Sequence, residues 1–151
     1  MTIPIIKQVP PQAVGGKTLF ASTNGKFYNA KGRELEPAFS PAMMRRNQHS
    51  AVSHGKTYPS MTYFNSRYCH HLIYETFVGP RTPGMHIDHI NGNILDWSLE
   101  NLEQVTPQEN CKRAKILRIL RRIGRNPEQI GQNELKRIFR SYTFQTPKIF
   151  D

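Results

Sequence analysis

The 151-residue chain predicts an α+β fold with a β-rich N-terminal region and a basic helical C-terminal region. Turn-forming dipeptides separate short aromatic or aliphatic segments in the first third of the sequence. A strand–loop–strand pattern occupies the middle, and helix-capping residues precede amphipathic segments near the end. This length leaves room for one domain with a modest core, or for one small core with appended arms.

The N-terminal region has the pattern of extended chain. Its first dozen residues include three prolines and predict an extended arm. Within residues 19–35, Asn24-Gly25 and Lys31-Gly32 separate short segments that carry Phe, Tyr or Leu, which predicts a hairpin or meander. A second extended pair is expected within residues 51–68, broken at 54–56, whereas residues 37–50 have no clear period and no assignment.

The middle of the chain predicts a helix followed by two strands. Residues 71–78 have apolar side chains at helical spacing, and Gly79-Pro80 ends the helix. A strand is expected over residues 85–90, ending at Asn91-Gly92, with its partner at residues 102–105. The loop between the strands is rich in Asn, Gly, Asp and Ser, which satisfy their own backbone groups.

The clearest helix signal follows directly after the second strand. Thr106 is suited to the N-cap, Pro107 to the first helical position, and Glu109 completes a Thr-x-x-Glu capping box. This helix is expected to run to about Ile123 and to stop at Gly124.

The C-terminal region has a second helix cap at residues 126–129 and a predicted final helix at 134–142. Positive charge is concentrated in this region. Residues 112–140 include ten Lys or Arg and two acidic residues, a surplus of +8 in a chain of net charge +10. The first helix of this region combines Ile and Leu with Lys112, Arg113, Lys115, Arg118, Arg121 and Arg122. Such a basic face is typical of phosphate-binding surfaces, although it can also be a solvated face of a helix docked by its apolar stripe. A membrane-surface helix would carry aromatic anchors, which are missing here.

The cysteines and the hydropathy pattern narrow the class of protein further. Cys69 and Cys111 are too far apart in sequence for a paired zinc motif; they could form one disulfide, but a reduced compartment is favoured. No apolar run approaches the roughly 20 residues that span a bilayer, and the N-terminus has no cleavable signal pattern. We therefore expect a cytoplasmic protein.

Two adjacent residues, Asp88 and His89, carry the chemistry that this sequence suggests. Hydrolysis of a phosphodiester needs a general base, which one His can supply, and a Lewis acid, which one Mg²⁺ ion can supply. Mg²⁺ usually takes one or two protein ligands, and Asp88 with an Asn carbonyl is a suitable pair. Because neighbouring strand residues point to opposite faces, Asp88 and His89 can converge only if the strand ends or bends at Asn91-Gly92. Asn110, in the first turn of the capped helix, can then project toward the same cleft.

A longer pattern surrounds these residues. It comprises His86-Ile87-Asp88-His89-Ile90-Asn91-Gly92-Asn93, Asp96, Asn101-Leu102-Glu103, Val105-Thr106 and Glu109-Asn110. The pattern resembles that of the HNH (His-Me finger) endonucleases of homing and phage type. His70-His71-Leu72-Ile73, with Phe77, is similar to the helix that precedes the motif in that family.

The resemblance covers about residues 68–114 and implies a ββα-metal fold there, flanked by a β-rich region at 1–67 and a basic helical region at 115–151. It implies that Asp88 and Asn110 are ligands of a divalent ion and that His89 is the general base. It also implies that Asn101 ties the loop together and helps to orient that base.

The chain departs from the family pattern at the loop and the second strand. Trp97-Ser98 stands where many relatives have Asn-Arg, and Gln104 where some have Trp. The chain also lacks the paired cysteines with which some relatives bind zinc. Trp97 is expected to cap the small core, with stacking on a base as the alternative.

Four further residues are candidates of less defined role. We interpret His86 as a surface strand residue that could also help to bind a metal or phosphate. We interpret His70 and His71 as helix-start or packing residues. Arg81, together with Arg67, is expected to join the basic residues of the C-terminal region in holding a nucleic-acid backbone.

The predicted function is a metal-dependent DNA endonuclease that uses Mg²⁺ or Mn²⁺ and gives 5′-phosphate and 3′-hydroxyl ends. Two alternatives stay open. One is a nucleic-acid-binding module that keeps the fold without cleaving, and the other is a basic assembly protein with an acidic partner. The sequence does not specify an oligomeric state and is compatible with a homodimer.

Overall fold

A computed structural model describes residues 2–38, 58–61, 63–64 and 67–142. Strands and helices are both present, so the α+β class is confirmed. In chain order the strands and α-helices are β1 (Ile6–Gln8), β2 (Phe20–Ser22), β3 (Phe27–Tyr28), β4 (Glu34–Leu35), β5 (Ser60–Met61), β6 (Arg67–Tyr68), α1 (Cys69–Phe77), β7 (His86–His89), β8 (Leu102–Val105), α2 (Pro107–Arg122) and α3 (Gln132–Ser141).

The N-terminal sheet is an antiparallel meander in the order β1-β2-β3-β4. Its turns lie at Asn24-Gly25 and Lys31-Gly32, which confirms the predicted hairpins. The first dozen residues were predicted to form an extended arm, and their central part is extended but belongs to the sheet. Ile6 pairs with Ser22, and the Ile5 backbone N–H donates to Thr23 Oγ1 at 3.1 Å, so this segment is the edge strand of the sheet.

A second small sheet pairs β5 with β6, and Ser60 lies opposite Tyr68. The extended pair expected within residues 51–68 is therefore present in its later part. The predicted break at residues 54–56 lies outside the described residues, as does most of the unassigned segment 37–50.

Helix α1 begins two residues earlier than predicted, at Cys69. The Cys69 backbone N–H donates to Pro59 O at 2.9 Å, which joins the helix start to the segment before β5. The helix ends before Gly79, whose φ of 138° suits glycine. Its buried face is formed by Cys69, His70, Leu72 and Ile73.

Strands β7 and β8 form the central hairpin. Asp88 lies opposite Glu103, and His89 opposite Leu102. β8 has the predicted bounds, whereas β7 is one residue shorter at each end than predicted and ends at His89. The chain then turns, with the Gly92 backbone N–H donating to His89 O at 2.8 Å.

The capped helix is α2, and its start is as predicted. Thr106 Oγ1 accepts a hydrogen bond from the Glu109 backbone N–H at 3.1 Å. The last helical residue is Arg122, and Gly124 follows with φ of 81°. α3 spans Gln132–Ser141, shifted toward the N-terminus relative to the prediction. The part of the chain that the structure describes contains no helix both long and apolar enough to cross a bilayer.

Two hydrophobic clusters meet at the central hairpin. Ile87 and Leu102 belong to the first, which also contains buried residues of the N-terminal sheet and α1. Ile90, directly after β7, belongs to the second, with Ile116, Leu117, Leu120, Leu135 and Phe139 of α2 and α3. The turn that follows His89 is thereby held between two packed units.

Candidate active site

A cleft of about 470 Å³ opens where β7 meets the starts of α1 and α2. Asp88, His89 and Asn110 all line it, so the structure brings together the three residues predicted to act at the phosphate. The other polar or charged side chains on its wall are Tyr58, Tyr68, His70, His71, Arg81, His86, Arg118 and Arg121.

Asp88 and His89 reach this cleft from opposite faces of the hairpin. Asp88 contacts Arg113 of α2, whereas the ring of His89 lies against His70 of α1. This is the divergence expected for adjacent strand residues. They still share one cleft because His89 is the last residue of β7 and the chain turns immediately after it.

The carboxylate of Asp88 is largely removed from water, with 12% of its side chain exposed. Burial raises the pKa of Asp88 to about 6, although the charge and hydrogen bond of Arg113 act in the opposite direction. Arg113 Nη1 donates to Asp88 Oδ2 at 3.2 Å. An additional cation beside this carboxylate would therefore stabilise its ionised form.

Arg113 was predicted to bind nucleic acid, and the structure contradicts this. Only 8% of its side chain is exposed, and it pairs with Asp88, with Glu103 at 2.8 Å and with Glu109 at 3.2 Å. Burial alone would lower the pKa of Arg113, but the bonds to Glu103 and the neighbouring carboxylate charges leave it raised. Its guanidinium also lies 4.8 Å from the ring centroid of Phe139. Arg113 is thus an internal counter-ion of the site.

The side chain of Asn101 is fully buried beneath the loop that follows β7. Its Oδ1 accepts from the Asn91 backbone N–H at 3.0 Å, and its Nδ2 donates to Asn91 Oδ1 at 3.0 Å and to Asp96 O at 2.8 Å. The Ile90 backbone N–H donates to Asn101 O at 2.8 Å. Asn101 therefore fixes the turn next to His89 from behind the cleft.

The ring of His89 is packed between aromatic side chains and is 5% exposed. The Tyr58 ring stacks on it at 5.8 Å with an interplanar angle of 6°, and the His70 ring lies at 4.7 Å. Burial lowers the pKa of His70 to about 2, and the neighbouring His89, His71 and Arg81 add to the effect. His70 is thus a neutral ring beside His89.

His70 lies at the start of α1, as predicted, whereas Tyr58 was not among the residues predicted for the site. Tyr58 lies within the predicted extended pair at residues 51–68. Its contact with His89 depends on how β7 and α1 pack, which the local pattern does not indicate. The sequence evidence for this side of the cleft was the resemblance of the segment that contains His70 to the helix that precedes the HNH motif.

Asn110 lies in the first turn of α2 and contacts the strand that carries Asp88. Its Nδ2 is 3.2 Å from Nδ1 of His86. His86 and Asp88 are two residues apart on β7 and so share one face of the hairpin.

These positions coincide with a known family pattern. Residues 67–112 match the model of a family described as HNH endonuclease. We refer to this matched segment as the HNH domain. The resemblance predicted from the sequence is therefore confirmed over this segment. Comparison with curated proteins and comparison with solved structures each gave no match.

The loop of the HNH domain is attached to the N-terminal sheet through Trp97. Its Nε1 donates to Gly25 O at 2.6 Å, and the ring packs against the first hydrophobic cluster. A Cβ at Gly25 would come within 3.0 Å of Trp97 Cδ1, so the turn glycine is required for this approach. The expectation that Trp97 caps the core is confirmed.

The predicted basic residues divide into separate groups in the structure. Arg81, Arg118 and Arg121 line the cleft of the HNH domain. Lys115 and Arg122 are exposed on α2, and Lys112 lies 3.9 Å from Glu109. The basic surface of α2 thus reaches the candidate site through Arg118 and Arg121.

Two cleft residues of α2, Leu117 and Arg121, contact the turn after β7. A Cβ at Gly92 would lie 2.9 Å from Arg121 Nη2 and 2.9 Å from Leu117 Cδ1, so α2 packs directly on this glycine. Arg67, by contrast, pairs with Glu75 of α1 and donates to Ala13 O at 3.4 Å. Its side chain therefore serves the N-terminal packing.

The oxygen donors of the HNH domain fit a small divalent cation. No group of three or more His, Cys, Asp or Glu side chains within the described ranges is arranged to hold a metal. Asp88 supplies a carboxylate and Asn110 an amide carbonyl on the wall of the same cleft. Mg²⁺ commonly takes one or two oxygen ligands from the protein, and water and phosphate oxygens fill its other coordination positions.

Proposed function

We propose that this chain is a metal-dependent DNA endonuclease that hydrolyses phosphodiester bonds. One observation carries the proposal: Asp88, His89 and Asn110 line a single cleft inside an HNH domain. The cleft also contains the guanidinium groups of Arg81 and Arg118, which suit an anionic substrate.

The arginines would bind the DNA backbone on either side of the scissile phosphate. Arg118 and Arg121 are exposed on α2, and Arg81 is exposed before β7. Each contact with a phosphate releases condensed counterions and makes binding depend on salt. The substrate is thereby held with one phosphate over Asp88 and His89.

His89 would act as the general base. Its imidazole takes a proton from a water molecule, and the resulting nucleophile attacks the phosphorus in line with the departing oxygen. Tyr58 and His70 restrict the rotation of this ring, and the Asn101 network fixes the turn behind it. Correct orientation of the base is itself a large part of such a rate enhancement.

Asp88 and Asn110 would hold one Mg²⁺ or Mn²⁺ ion. When bound, such an ion offsets the charge on the phosphate oxygens and stabilises the departing 3′ oxygen. Arg113 anchors Asp88 through Oδ2 and so sets the orientation of the carboxylate. Cleavage of the P–O3′ bond leaves 5′-phosphate and 3′-hydroxyl ends.

The direct test is nicking of supercoiled plasmid by the full chain in Mg²⁺ or Mn²⁺, with EDTA as the metal-free control. We expect nicks only with the metal, and we expect ligase to reseal them without prior phosphorylation because the ends are 5′-phosphate and 3′-hydroxyl. Asn110→Ala should abolish most nicking, whereas Asn133→Ala, the same change on the exposed surface of α3, should leave it intact.

Three results would contradict the proposal. Nicks of equal yield in EDTA would exclude the metal step, and nicks that ligase cannot seal would exclude these ends. DNA binding without cleavage in either metal would favour the non-catalytic binding module instead.

A further inference from the structure

The contact between His86 and Asn110 has no role in the steps above. The Asn110 Nδ2 atom lies 3.2 Å from His86 Nδ1, within hydrogen-bond distance. His86 is the first residue of β7, and Asn110 lies in the first turn of α2. The two side chains therefore connect the strand that carries Asp88 with the helix that carries its partner ligand.

We propose that His86 is a positioning residue that fixes the side-chain amide of Asn110 so that its Oδ1 faces a divalent ion shared with Asp88. The proposal rests on the proposed function, because it concerns the metal ligands of that site.

The amide group gives a physical reason for such a residue. An Asn side chain carries an acceptor oxygen and a donor nitrogen on two corners of one plane, and rotation about χ2 exchanges them. Only the oxygen can bind a cation. When Nδ2–H of Asn110 donates to Nδ1 of a His86 ring protonated on Nε2, Oδ1 is directed away from His86. The contact thus selects the one amide orientation that can act as a ligand.

The hairpin register holds this contact in place. His86 pairs with Val105, the last residue of β8. Only Thr106 separates Val105 from the first residue of α2, and Thr106 caps the helix through the Glu109 backbone N–H. The ring and the amide are therefore carried by rigid elements joined at a capped junction. Partners of this kind commonly set the affinity of a metal site although they do not touch the metal.

A direct ligand role for His86 makes a different thermodynamic prediction. If His86 acts through Asn110, then removing it has no further effect once Asn110 is gone. If His86 bound the ion itself, the two losses would multiply. A double-mutant cycle measures this coupling.

The experiment is calorimetric titration of Mn²⁺ into the full chain and into His86→Ala, Asn110→Ala and the double variant. We expect His86→Ala and Asn110→Ala each to weaken Mn²⁺ binding by about 10- to 100-fold, with no further loss in the double variant. His86→Asn should stay within about threefold of the unaltered chain, because the Asn Oδ1 occupies the position of His Nδ1 and keeps the acceptor. Gln104→Ala, on the other face of the same hairpin, is the matched control.

Unchanged Mn²⁺ affinity in His86→Ala, or multiplied losses in the double variant, would overturn the inference. Failure of the inference can be told from failure of the proposed function. If Asn110→Ala weakens binding and His86→Ala does not, only the positioning role is wrong. If Asn110→Ala binds Mn²⁺ normally, or the unaltered chain binds none, the proposed metal site itself is wrong, and the inference fails with it.

Discussion

The two faces of strand β7 approach the cleft with different chemistry. On the face toward α2, Asp88 pairs with the buried guanidinium of Arg113, and His86 bonds to Asn110. On the face toward α1, His89 is packed against the uncharged rings of Tyr58 and His70. We interpret the first face as the cation-binding side and the second as the base-holding side.

The difference explains how adjacent residues perform separate tasks. Asp88 binds a cation in its ionised form, and the charge and hydrogen bond of Arg113 favour that form inside the protein. A general base needs a neutral, oriented imidazole, and a cation next to it would oppose protonation. Packing His89 against neutral rings avoids this conflict while the strand end still brings both groups to one phosphate.

The largest effect is expected from neutralising the cation-binding side. Asp88→Asn keeps the shape of the side chain but removes its charge, so we expect cleavage to fall by about 10²- to 10⁴-fold. Glu103→Gln is the matched control, because Glu103 also pairs with Arg113 but does not line the cleft. Single-turnover cleavage rates of the two variants, compared with the unaltered chain, measure the difference. Equal losses would show that the Arg113 network matters and the cleft carboxylate does not.

Removal of the internal counter-ion should destabilise the fold. Arg113→Ala removes the ion-pair partner of the buried Asp88 and of Glu103, and Glu109 keeps its pair with Lys112. We expect the free energy of unfolding to fall by about 3 kcal/mol, at the low end for buried pairs because the two glutamates are about one-third exposed. Urea unfolding measures this loss of stability. Arg137→Ala, which removes an exposed ion pair with Glu134, is the control. A loss no greater than that of the control would contradict the role of Arg113.

The base-holding side is tested by changing Tyr58. Tyr58→Ala removes the ring that stacks on His89, and we expect the cleavage rate to fall by about 10- to 100-fold while the DNA dissociation constant stays the same. Tyr58→Phe keeps the ring and should restore nearly the full rate. If both variants lose activity equally, then the hydroxyl group and not the stacked ring is important.

The smallest effect is expected on DNA binding by the arginines of the cleft. The double change Arg118→Ala and Arg121→Ala should remove about two phosphate contacts. The slope of the logarithm of the DNA-binding constant against the logarithm of the salt concentration should then become shallower by about 1.8. Fluorescence anisotropy at several salt concentrations measures this slope, with Arg33→Ala, an exposed arginine just before β4, as the control. An unchanged slope would place the DNA elsewhere on the molecule.

Local signals explain which parts of the fold could be predicted. The start of α2 depends on Thr106 and Glu109, and the hairpin turns on Asn-Gly and Lys-Gly dipeptides, all of which act within a few residues. Strand β1 could not be predicted this way, because it is a strand only through its pairing with β2. The early start of α1 likewise depends on a bond from Cys69 to Pro59.

In the candidate site, too, some residues could be predicted from the sequence and others could not. Asp88, His89 and Asn110 were predicted from chemistry and spacing, and the end of β7 at His89 accounts for their shared cleft. Arg113 was placed with the phosphate-binding residues because it lies in a basic run. Its position three and four residues before Ile116 and Leu117, on the buried stripe of α2, was the signal that it faces inward. Tyr58 offered no such signal.

The most direct measurement is single-turnover cleavage of duplex DNA by His89→Ala, together with its DNA affinity and melting temperature. We predict a fall in cleavage of at least about 10²-fold with the metal present, while DNA affinity and folding are retained. Cleavage by His89→Ala at the rate of the unaltered chain would contradict the assignment of His89 as the base and with it the proposed mechanism.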